Sequence, residues 1–135
     1  MLITMNVPGT FSAQSDIDET AEVIKAALDC MVTLNRNYLR RHPTPHIYES
    51  RIKYGRTTSW LTVPAMLETG IADCKSLAPW LVAYYRNKGQ NAKTVFRYRP
   101  NPRTGFYDYH ILVDGPNGWE DPSRILGMGK NENTR

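Results

Sequence analysis

Close to residue 90 the spacing of apolar side chains changes. Before that point they recur at helical intervals, and after it they alternate every second residue. A chain with this break must lay amphipathic helices against an antiparallel sheet, so an α+β fold is expected, with N-terminal helices packed on the strands. The longest periodic stretch is 15–41, where Ile17, Ala21, Ile24, Leu28, Met31 and Asn35 form one stripe. Ser15 is placed as its N-cap, Asp16, Asp18 and Glu19 suit the positive end of the helix dipole, and Arg40, Arg41 and His42 suit the other end before Pro43. Residues 42–58 show no period and read as a long surface loop. Residues 64–89 are helical again: Pro64 starts a short helix that Gly70 ends, and a second helix runs from about Asp73 to Gly89. Its stripe is Cys74, Leu77, Ala78, Leu81, Tyr84 and Tyr85, with Pro79 expected to offset the first turn from the rest. Strands follow over 93–121 as a meander of 93–99, 107–114 and 119–120, and 127–135 reads as a frayed polar tail.

With 135 residues and 41% hydrophobic content, the chain fits one domain that buries a core without staples. Two cysteines make no disulfide framework, and no Cys/His spacing suggests a metal, so a reducing compartment is expected and no cofactor is implied. Neither a signal peptide nor a membrane-spanning run is visible, which points to a non-exported protein with no membrane partner. A net charge of +4 and a pI near 9.2 would suit an anionic partner, but the basic residues are scattered. Nucleic-acid binding through Arg97, Arg99 and Arg103 is therefore the least favoured reading.

Cys74 opens a helix, where unpaired N–H groups and the dipole favour a thiolate over a thiol. Such a nucleophile needs a base and a group that orients the base. His110, in the middle of the second strand, and Asp121, before Pro122, can supply these roles in the order Cys, His, Asp. Each has a plainer reading: an inward cysteine that only packs, a satisfied strand histidine, a turn aspartate. Cys30, at the edge of the first stripe, reads as packing. Tyr98, Tyr107 and Tyr109 either line a cleft or fill the core, and their spacing favours the core.

Three blocks carry a resemblance: Glu68-Thr-Gly70-Ile-Ala-Asp73-Cys74-Lys-Ser-Leu77-Ala78, Tyr109-His110-Ile-Leu-Val113, and Gly118-Trp119-Glu120-Asp121-Pro122-Ser123. Together they resemble the transglutaminase-like superfamily of papain-type folds, over about residues 60–128. The resemblance implies a papain-like core with Cys74, His110 and Asp121 as a catalytic triad, and thiol-dependent cleavage or transfer at amide or isopeptide bonds of a protein or peptide substrate. The sequence departs from the family pattern at Ala72, where glycine is common, and at Lys75-Ser76, where an acidic pair is common. Glu120 to Met128 is similar to the ending of small stand-alone members found among bacteriophage and prophage proteins. That implies a place in the cytoplasm of a bacterial host or in the virion, with phage structural proteins as further partners. The competing reading is a structural or assembly protein of a phage particle that keeps the fold without catalysis.

Overall fold

Helix α1, Ile17–Arg41, crosses the molecule and buries Thr20, Leu28, Met31, Val32 and Asn35. The structure is a computed structural model that describes residues 17–130. The expected cap at Ser15 and Asp16 and the last five tail residues lie outside the described residues. Asn35 is an amide among apolar neighbours, and it is fully buried. Its Oδ1 accepts the N–H of Val63 at 2.9 Å. Val63 opens helix α2, Val63–Thr69, whose N-cap Thr62 makes no side-chain cap bond, so α1 supplies the acceptor that the local sequence lacks. Gly70 ends α2 in the left-handed region at φ 73°, returning its N–H to Met66.

The segment expected to be a surface loop, 42–58, instead enters the core. Ile47 and Ile52 are 1% and 3% exposed. A short 3₁₀ turn, Ile47–Glu49, leads into β1, Lys53–Tyr54, which pairs in parallel with β2, Ile71–Ala72. The two-residue ladder ties the segment to the turn that enters the next helix. Sequence periodicity misses it because long-range contacts, not an amphipathic repeat, bury the two isoleucines.

Helix α3, Cys74–Asn87, is the centre of the fold. All of its first ten residues are buried, so the expected one-sided stripe is in fact a helix covered all round. Pro79 is accommodated within one continuous helix. Strands β3, Lys93–Asn101, β4, Phe106–Gly115, and β5, Gly118–Glu120, form an antiparallel sheet in chain order. Ile111 and Val113 of β4 join the core around α3. By the pleat, Arg97, His110, Leu112, Asp114 and Trp119 then share the opposite face. The β3–β4 hairpin outruns the helices. Tyr98 and Tyr109 are therefore 43% and 50% exposed, on the sheet surface and outside the core that their spacing suggested. Cys30 is exposed on α1, not packed as expected, because the helix turns Leu28, Met31 and Val32 inward on either side of it.

A last short helix, α4, Pro122–Ile125, is capped by Asp121, and Gly127 to Lys130 fold back on it through a bond from Met128 N–H to Ser123 O at 2.8 Å. This part of the expected frayed tail is hydrogen-bonded.

Candidate active site

The three residues singled out by sequence come from three elements that converge at one end of α3. Cys74 is the first residue of α3, His110 lies in β4, and Asp121 follows β5 as the N-cap of α4. The His110 Nε2 and Asp121 Oδ2 atoms are 2.8 Å apart. That contact leaves Nδ1 as the ring nitrogen open to another partner, and the Cys74 side chain is near enough to act on the same imidazole. The imidazole therefore stands between carboxylate and thiol.

The bond to Asp121 and then the bond to Cys74 raise the His110 pKa against the opposing effect of burial, and it is pushed up to about 9. Burial pushes the Asp121 carboxyl up, but the hydrogen bond and charge of His110 outweigh it, helped by the Arg124 N–H. The carboxyl stays below its ordinary range. At neutral pH the pair is thus imidazolium and carboxylate, with side chains 29% and 20% exposed.

This pairing links stability to pH. Unfolded, His110 titrates near 6.5, so the folded state gains fully from holding its proton below that pH and loses the gain as pH rises through about 9. Asp121 works in the opposite direction, its contribution disappearing as acid protonates it below the ordinary carboxylate range. Asp121→Asn should cost about 1–2 kcal/mol at pH 7 after allowance for partial exposure. Urea unfolding of both proteins from acid to alkaline pH should show the gap closing above pH 9, and a gap independent of pH would exclude the ion pair as its source.

Behind the pair lies a network that sequence reading missed. Glu120, next to Asp121, accepts the hydroxyl of Tyr85 on Oε1 at 2.5 Å and that of Tyr48 on Oε2. One carboxylate thereby joins the 3₁₀ turn, α3 and β5. Burial and then Glu120 raise both hydroxyls, Tyr85 to about 12 and Tyr48 further, so both remain donors. The local sequence signal was only Glu120 in a strand beside an Asp-Pro pair, which does not reveal two tyrosines far away in the chain.

The rim on the other side is built by residues 57–61. Lys75 is 6% exposed, and its ammonium meets Asp73 Oδ2 at 2.5 Å and the carbonyl of Thr57. Asp73 Oδ2 also takes the Thr57 N–H at 3.1 Å, and Ser76 Oγ takes the Leu61 N–H at 2.8 Å. The two residues that depart from the family pattern, Lys75 and Ser76, are thus the anchors of this segment. It presents Trp60, 37% exposed, beside the start of α3.

Burial first, and then the charges of Cys74 and Asp73, push the Tyr109 hydroxyl up. Tyr109 and His110 are consecutive and point to opposite faces of the sheet. Cys74 itself is 9% exposed. The two described surface cavities lie elsewhere, one lined by Arg36, Arg86 and Lys93 and the other by Tyr48, Ile52 and Ile125.

Among the described residues no group of three or more His, Cys, Asp or Glu side chains is placed to hold a metal ion, and no helix is long and apolar enough to cross a membrane. No protein-family profile, curated protein or solved structure matches this chain.

Proposed function

We propose that this chain is a papain-type, transglutaminase-like cysteine enzyme that acts on amide or isopeptide bonds of a protein or peptide. The observation that carries this reading is the 2.8 Å contact of Asp121 with His110, together with a Cys74 side chain near enough to act on the same imidazole, assembled from three elements. Cys74 Sγ attacks the carbonyl carbon, the C–N bond breaks, and His110 gives its proton to the leaving amine. The resulting thioester is released by water, which gives hydrolysis, or by a second amine, which gives a crosslink. Asp121 holds the ring in one orientation throughout. The backbone N–H of Cys74 serves the carbonyl oxygen as it becomes an oxyanion, while the N–H groups of Ser76 and Leu77 are taken by the Asp73 carbonyl. By the same resemblance we place the protein in a bacterial host cytoplasm or in a phage particle, among phage structural proteins.

The 9% exposure of Cys74 favours a second reading, a non-catalytic assembly protein with a buried thiol. Iodoacetamide labelling of Cys74 in a Cys30→Ala background separates the two. At pH 6 an ordinary thiol is about 0.3% thiolate. A base beside a thiol favours the thiolate, and the weaker nucleophilicity of a stabilised thiolate returns part of the gain. Labelling at pH 6 should therefore fall about tenfold in His110→Ala. Slow labelling that ignores His110 would favour the assembly protein.

A further inference from the structure

We propose that Arg97, stacked on Trp119, selects acyl substrates that carry a carboxylate beside the scissile bond, an inference that rests on the acyl chemistry assigned to Cys74. Arg97 is the direct cross-strand partner of His110, so their β-carbons stand about 5 Å apart on one face. Trp119 belongs to the same face two residues before Asp121. The Arg97 guanidinium lies 4.7 Å from the Trp119 ring centroid. The stack spans Leu112, which is only 7% exposed although it lies outside the main core cluster. Packing over Leu112 and the indole fixes where the charge of Arg97 sits without neutralising it.

The acids of this face each have a neighbour other than Arg97. Asp108 lies opposite Arg99 and accepts from Asn101 at 3.0 Å, Asp114 lies opposite Lys93, and Asp121 holds His110. Among the described residues Arg97 forms no salt bridge. On the far side of the His110–Asp121 pair, Arg124 approaches Asp121 only at 3.8 Å, with its side chain 72% exposed. Arg97 is thus a positively charged arm beside His110 that is fixed by an aromatic ring. A guanidinium held in one place takes a carboxylate through a two-pronged hydrogen bond. An acidic peptide, with an Asp or Glu side chain or a chain terminus within one residue of the bond, meets that requirement.

The test uses two reagents that differ only in charge, N-iodoacetylglycine and N-iodoacetylglycinamide, on the full chain with Cys30→Ala. The ratio of their labelling rates at Cys74 should exceed the ratio for free cysteine. It should fall about three- to tenfold in Arg97→Gln, recover in part in Arg97→Lys, and shrink as salt is raised. The acyl reading is judged separately, by the absolute rate with the neutral reagent and its loss in His110→Ala. A slow, His110-independent thiol would sink that reading while the ratio still reported on Arg97. An unchanged ratio in Arg97→Gln overturns the proposal. So does a short DNA duplex that shields Cys74 from the neutral reagent through Arg97 while the ratio stays that of free cysteine, which would make the face a phosphate surface. As a second readout, N-acetylglutamylglycinamide should shift the Trp119 indole NMR signal in wild type but not in Arg97→Gln, and the uncharged N-acetylglutaminylglycinamide should leave it in place.

Discussion

Cys74→Ala is expected to lower amide or isopeptide cleavage by about 10⁴- to 10⁶-fold, His110→Ala by nearly as much, and the double variant by no more than the worse single one. The non-additivity is the informative part. A nucleophile without its base and a base without its nucleophile are equally idle, so once one is gone the other has nothing left to contribute. Asp121→Asn should cost less, about 10²- to 10⁴-fold, because it leaves the thiol and the ring but removes the acceptor at Nε2. Single-turnover assays with acidic peptides containing isopeptide or amide bonds, read by mass spectrometry, measure all four proteins. Cleavage that survives Cys74→Ala would remove the thiol from the reaction. Independent effects of Cys74 and His110, multiplying in the double variant, would mean that the two do not act as one unit.

The places of the three candidate site residues in the fold were legible in the sequence because each is tied to a strong local signal. Gly70 and Gly89 bracket the helix that Cys74 opens, the two-residue alternation of β4 gives His110 its face, and Asp121 precedes a proline at the start of α4. What surrounds them was not legible, since it depends on contacts between distant parts of the chain. Nothing near Ile47 or Ile52 announces that the segment between the helices is core. Glu120 joins Tyr48 and Tyr85 across separations of 72 and 35 residues. Asn35 stood in the apolar stripe as an anomaly, and only the position of Val63 explains it. Tyr98 and Tyr109 fail in the other direction: aromatic spacing marks a buried face only where something covers it, and none of the described helices covers the outer part of the hairpin.

Lys75→Met should destabilise the protein by about 3–5 kcal/mol, while Asp73→Asn together with Lys75→Met should recover most of that loss. A lysine one residue after a helix start reads as a surface charge, yet here both members of the pair are withdrawn from water, with side chains 8% and 12% exposed. Among the described residues Asp73 Oδ1 has no partner, and Oδ2 has only the ammonium and the Thr57 N–H. Taking away the ammonium leaves a buried carboxylate held by one backbone donor, which is the costly half of breaking such a pair. Removing both charges avoids that penalty, because a neutral amide keeps an acceptor for Thr57 and methionine fills the volume of the lysine stem. Urea unfolding at neutral pH of the wild type, the single and the double variant measures the difference. A single variant within about 1 kcal/mol of wild type would mean that water reaches Asp73 and that the pair is in effect a surface one. The same contacts tie the segment carrying Trp60 to the start of α3, so the double variant, stable but without the Lys75 bond to Thr57, separates the two roles of the pair. If Cys74 labelling in the double variant differs from wild type while unfolding does not, Lys75 acts on the site by positioning its rim.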